Sequence, residues 1–169
     1  KAEEALFLST KSYYNLSPVY SKEQKETKEA IEKLQLFINK YPESQYLAEA
    51  NSMIKELDYK LEKKAFEIAK QYNKIANFES ADYEASIKSF DLFLLEYPGT
   101  TFREEAMYYR LDSAYNLAVN SIKSKKEGRL NSAITYYKSF AKAYPNSKHK
   151  ETADAMNAEL TAQLSQLSI

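Results

Sequence analysis

The feature that most constrains this chain is a segment that occurs three times: an apolar stretch closed by Tyr-Pro and followed by a new helix start. The copies are FINKYPESQYLAEA from Phe37, FLLEYPGTTFREEA from Phe93 and FAKAYPNSKHKETA from Phe140. Counted from Pro42, Pro98 and Pro145, the same residue types recur at fixed offsets. Ile31, Ile87 and Ile134 stand eleven before, Leu34, Phe90 and Tyr137 eight before, and Phe37, Phe93 and Phe140 five before. These positions make one stripe at helical spacing, and proline ends the helix because the residue preceding it disfavours the α region. Two residues after each proline a hydroxyl (Ser44, Thr100, Ser147) is placed to accept an orphan N–H of the next helix. An alanine (Ala50, Ala106, Ala153) follows eight after the proline. Helix pairs of this kind cannot bury their apolar faces alone, so they stack on one another.

The pattern predicts an all-α, tetratricopeptide-like solenoid of antiparallel helix pairs. Only 2 Gly and 4 Pro occur in 169 residues, too few punctuators for a β-rich fold. The repeat units fall at about 1–42, 43–98 and 99–145, with a capping helix over 146–169. Spacing between the prolines exceeds the tetratricopeptide period of about 34 residues, so some helices must be elongated. The longest lies between Glu43 and Phe78, where no Gly or Pro interrupts the chain. Its expected inward face is Leu57, Leu61, Ala65, Ile68, Tyr72 and Ile75. Other helices are expected at Ala2–Asn15, Lys25–Lys40, Asp82–Glu96, Thr101–Ser124, Leu130–Ala143 and Ser147–Leu167, with a turn at Asn77–Ala81. In the helix expected at Thr101–Ser124, Met107, Leu111, Ala114, Ala118 and Ile122 should face inward. Gly128 sits where a left-handed helix stop is wanted.

The opening KAEEA resembles the tail of the same signature, with Ala5 matching Ala50 and Ala106. The expectation is a chain that begins inside a repeat, with Ala5, Leu6 and Phe7 or Leu8 facing solvent.

Little in the residues points to catalysis. There is one His, no Cys, no Gly-rich loop and no metal-ligand spacing, so no enzyme, cofactor or metal is expected. His149 occupies the offset held by Tyr46 and Phe102 in the other copies and reads as a packing residue. Glu104 and Glu105 lie in the first turn of a helix, where acids complement its dipole. Lys123, Lys125, Lys126 and Arg129 surround an expected helix end, where cations are favoured. Lys plus Arg and Asp plus Glu balance at 24 each, which removes the overall field that drives nucleic-acid or membrane-surface binding. No apolar run reaches the roughly 20 residues needed to span a bilayer.

Tyrosine is abundant, at 15 residues. The adjacent pairs Tyr13–Tyr14 and Tyr108–Tyr109 cannot both share one burial, because neighbours on a helix point about 100° apart. Tyr14 and Tyr109 are therefore the candidate protein-binding residues.

The stretch from Ala30 to Ala118, with its KLEKKAFEIAKQY helix between two Tyr-Pro repeats and the NSIKSKKEGRLNSAI segment before the third, resembles the BamD-like family. These are tetratricopeptide lipoproteins of the outer-membrane β-barrel assembly machinery, and the match is to the carboxy-terminal part of a Bacteroidetes-type member. The resemblance implies a non-catalytic scaffold at the periplasmic face of the outer membrane. It implies partners too: the POTRA domains of the barrel subunit, other assembly lipoproteins and unfolded barrel substrates. Membrane attachment would come only through an amino-terminal lipid outside this segment, and no nucleic acid is implied. The alternative is a general periplasmic tetratricopeptide adaptor that binds peptides or cell-envelope proteins.

Overall fold

A computed structural model describes residues 1–80 and 82–167. Among the described residues there are seven α-helices and no strand. They are α1 Ala2–Leu16, α2 Lys25–Lys40, α3 Leu47–Ile75, α4 Tyr83–Glu96, α5 Arg103–Val119, α6 Lys123–Ala143 and α7 Lys150–Leu167. The chain divides into two compact units, Lys1–Ala65 and Phe66–Ile169. Helix α3 begins in the first and ends in the second.

All three Tyr-Pro junctions share one geometry. Tyr41, Tyr97 and Tyr144 close their helices with ψ of 67°, 68° and 65°, and each N–H donates to the carbonyl of the Phe four residues back. Proline forces this departure from the α region. The hydroxyls then act as expected: Ser44, Thr100 and Ser147 accept from the N–H of Tyr46, Phe102 and His149, all at 3.0 Å. A first turn follows, so α3, α5 and α7 begin three residues beyond the hydroxyl.

Around each junction four rings meet. The first unit holds Phe7, Phe37, Tyr41 and Tyr46, in which Phe7 stacks on Tyr46 at 4.4 Å and meets Phe37 at 5.3 Å. In the second unit Phe66 stacks on Phe102 at 4.7 Å and meets Phe93, which touches Tyr97. Also in that unit, Tyr108 stacks on His149 at 3.9 Å and meets Phe140, which touches Tyr144. Phe37, Phe93 and Phe140 are fully buried, as are Leu34 and Phe90 of the stripe. The position just before the stripe isoleucines is equally closed: Ala30, Ser86 and Ala133 are all 0% exposed, because only a small side chain lets two helices approach that closely. With the large residue four further on, this is the Ala-x₃-Phe…Pro element of tetratricopeptide repeats.

Five expectations need correction. On α3 the buried residues are Ala50, Met53 and Leu57, then Phe66, Ala69 and Asn73, whereas Ile68, Tyr72 and Ile75 are 45–46% exposed. A 29-residue helix that serves two cores must change faces along its length, so one continuous stripe does not describe it. The turn after α3 is instead a π-helical turn, Ala76–Ser80. It is held by Asn77, whose amide donates to Asp112 on α5. Ala81 lies outside the described residues. Helix α5 stops at Val119, and Ile122, expected to point inward, is 66% exposed. Gly128 does not stop a helix but lies within α6, and a Cβ added there would meet nothing within 4 Å. Finally, Leu6, expected to face solvent, is half-buried against the core of the first unit, whereas Ala5 and Leu8 do face solvent and Phe7 is buried.

Two measurements test this packing. Phe93→Ala should lower unfolding stability by roughly 3–5 kcal/mol, the range for deleting a buried Phe, and an unchanged thermal midpoint would contradict the ring cluster. Gly128→Ala should raise stability by about 0.5–1 kcal/mol, since a solvent-facing helical glycine has entropy to lose. A left-handed glycine would give loss instead.

Candidate docking surface

In the first unit the side chain of Tyr14 comes to rest at the edge of an open crevice of about 390 Å³. Val19, Tyr20, Leu57 and Tyr59 form its apolar lining, and Glu56, Lys60 and Lys63 form its rim. The Tyr14 hydroxyl donates to Glu56 at 2.5 Å. That hydrogen bond, with burial adding to it, raises the phenol above its ordinary value of 10.0 and keeps it protonated. Lys63 lies over the Tyr20 ring at 4.5 Å, a cation–π contact. Lys60 donates to the Ser17 hydroxyl at 2.6 Å, and Lys64 donates to the Lys22 carbonyl at 2.7 Å.

The connection between α1 and α2 that forms one wall is ordered from within. Buried Gln24 donates its amide to the carbonyls of Val19 and Lys22 and accepts from Thr27. Sequence reasoning singled out Tyr14 but missed Val19, Tyr20 and Tyr59. They hold no repeat offset, and only folding places the connection beside α3.

Tyr109 belongs to the second unit and is engaged in packing. Its ring stacks at 6.1 Å on Phe90, meets the edge of Tyr108 at 5.5 Å, and carries Lys70 above it at 5.4 Å. Both members of each tyrosine pair, Tyr13–Tyr14 and Tyr108–Tyr109, are half-buried. The different directions are satisfied by different neighbours, and neither pair offers a fully exposed ring.

The groups that might have suggested chemistry have structural work. Glu104 accepts from the Ser147 hydroxyl at 2.6 Å and Glu105 pairs with Lys148 at 2.9 Å. Lys148 holds the Glu105 carboxyl below its ordinary value, against a smaller opposing effect of burial. The basic run lies at the start of α6 rather than at a helix end. Lys126 donates to the Val119 carbonyl at the end of α5, and Arg129 bonds Ser121 and pairs with Glu84. Lys126 therefore complements the carboxyl terminus of α5, not that of its own helix. Among the described residues no group of three or more His, Cys, Asp or Glu could hold a metal ion. No helix among them is long and apolar enough to cross a membrane.

The family model of YfiO, described as outer membrane lipoprotein, matches residues 1–81 and again residues 74–169. No curated protein matches the chain.

His149 gives a pH test of the packing. Burial of its ring is the main cause, and Lys148 a further one, of a pKa below the ordinary 6.5, while Glu105 and Glu104 pull the other way. Its Nε2 is buried with no hydrogen-bond partner. As pH falls the unfolded chain takes up this proton first, so the contribution is intact above 6.5, is lost below it, and levels off beneath the folded pKa. Between about pH 8 and about pH 5 the protein should therefore lose more stability than its His149→Phe variant. Parallel pH profiles for the two would show that the ring is not held neutral.

Proposed function

The chain belongs to the YfiO family of outer membrane lipoproteins, and on that footing we propose that it is a non-catalytic scaffold of the outer-membrane β-barrel assembly machinery, docking the POTRA domains of the barrel-forming subunit. The observation that carries this reading is the family match, which runs from residue 1 to residue 169 with its two segments overlapping at 74–81. A helical-repeat fold supports it, because stacked helix pairs present a rigid surface that changes little on binding. The packing and pairing found for His149, Glu104, Glu105, Lys126 and Arg129 support a role without chemistry. In the full-length protein the scaffold would sit at the periplasmic face of the outer membrane, held there by a lipid. Tyr14 and Tyr109 are the proposed contacts, with Tyr14 the stronger because its crevice is open and mostly apolar. That same crevice favours a second reading, a general periplasmic adaptor for peptides.

The two readings separate in one experiment. The purified chain should bind the isolated POTRA region in the presence of a chelator and without nucleotide. Tyr14→Ala should weaken that binding roughly tenfold, the loss expected of a contact worth more than about 1 kcal/mol. Tyr109→Phe, which keeps the ring on Phe90, isolates the contribution of the hydroxyl. No association with POTRA domains, together with capture of cell-division proteins from the envelope, would favour the adaptor.

A further inference from the structure

The ring that opens each junction is followed, seven residues on, by a hydrogen-bond donor. Phe7, Phe66 and Tyr108, which stack on Tyr46, Phe102 and His149, lead in this way to Tyr14, Asn73 and Tyr115. The acceptors keep one offset as well, fourteen past the proline, at Glu56, Asp112 and Glu159. Tyr14 donates to Glu56 at 2.5 Å, Asn73 to Asp112 at 2.8 Å and Tyr115 to Glu159 at 2.5 Å. Each carboxylate therefore ties its own helix to an earlier one, α3 to α1, α5 to α3 and α7 to α5. Since seven residues make about two turns, each tie stands about 10 Å beyond the stacked rings. Two points that far apart fix an angle between helices that a stack alone leaves open.

These ties differ in how firmly they are set. At the middle junction Asn73 is buried and donates a second bond to Ser113, while Asp112 also accepts from Asn77 and Asn116. That joint is locked. Tyr115 and Glu159 meet at the surface instead, where a pair contributes little to stability and opens readily. The hydrogen bond to Glu159, with burial adding to it, pushes the Tyr115 phenol up to about 12, so it stays protonated and donates. Around the tie the core between α5, α6 and α7 is built from Ala114, Ala118, Leu130, Leu160 and Leu164, and apolar contact carries no direction of its own. The opposite ends of α5 and α7 are pinned: Glu104 accepts from Ser147, Glu105 pairs with Lys148, and Tyr108 stacks on His149.

We propose that the Tyr115–Glu159 hydrogen bond is a releasable latch, and that opening it lets α7 swing away from α5 about the Tyr108–His149 stack. From Tyr108 to Asn120 is about 18 Å of helix, so a swing within the roughly 15° scatter of helix-packing angles carries the free end about 5 Å. Glu159 lines an open crevice of about 460 Å³ together with Lys126, Ala162, Gln163 and Gln166, which puts the latch within reach of a group from outside the chain. Tyr14 and Glu56 repeat the build in the first unit, again at the surface. The device belongs to the repeat and does not depend on POTRA domains being the partner.

Pairs of spin labels on introduced cysteines test it, since the chain has no Cys of its own. Labels at the exposed residues Asn120 and Ser165 read the free ends of α5 and α7, and labels at Thr101 and Glu151 read the pinned ends. A third pair, at Ile75 and Asn120, reads the locked joint between α3 and α5. Tyr115→Phe, which keeps the ring and removes the donor, should extend the Asn120–Ser165 distance distribution by up to about 5 Å and leave the other two pairs unchanged. Glu159→Ala should do the same, and the two changes together should add nothing further. Thermal midpoints should hardly move, because the bond is exposed. The proposal is overturned if either variant leaves the Asn120–Ser165 distribution as narrow as in the wild type, if the two changes add, or if all three pairs broaden together. A fall in midpoint as large as that of Phe93→Ala would also overturn it, since the bond would then be part of the core packing.

Discussion

Every junction between successive helix pairs depends on one arrangement, a cluster of four rings. A ring from the preceding helix stacks on the ring four past the proline, the phenylalanine five before the proline packs against it, and the tyrosine beside the proline closes the group. Proline sets the position of that tyrosine, since it drives the backbone out of the helix at the same angle in all three copies. The capping hydroxyl then aims the next helix so that its first-turn ring faces inward. Stacked aromatics contribute more than their area alone. A small residue, Ala30, Ser86 or Ala133, is needed further along so that the helices come close enough for the rings to meet.

In the second unit this scheme is modified by polar groups. Asn73 and Ser86 enter the core together with Ser113, and they satisfy one another: the Asn73 amide donates to Ser113 and to Asp112, and Ser86 shares a hydrogen bond with Ser113. Satisfied in this way, buried polar groups fix one arrangement where apolar packing would tolerate several. Asn77 makes the same carboxylate hold the π-helical turn. The end of α3 is therefore ordered by side-chain amides rather than by a repeat residue.

Surplus aromatic and aliphatic surface is what remains for function. The Tyr14 crevice combines rings with lysine and glutamate, a mixture suited to polar and apolar contacts at once. On the second half of α3, Ile68, Tyr72 and Ile75 are nearly half exposed.

Sequence alone determined the parts that repeat. The Ile, large residue and Phe stripe, the Tyr-Pro stop and the capping hydroxyl are local rules, because each concerns residues within one or two helical turns, and the packing role of His149 was read from its repeat offset. The all-α repeat class followed from them, and α2 was legible to its ends at Lys25 and Lys40. Tyr14 was legible as a candidate because its neighbour Tyr13 needed a different burial.

Only the tertiary structure decided the rest. Whether Ile68, Tyr72 and Ile75 faced a core could not be read from their spacing, since a face that packs inward and one that stays exposed have the same period. Gly128 reads as a stop or as a weak helical position according to what surrounds it. Val19, Tyr20 and Tyr59 became a crevice only when buried Gln24 folded the connection between α1 and α2. Spacing along the chain specifies which residues share a face; what that face meets depends on helices far away in the sequence.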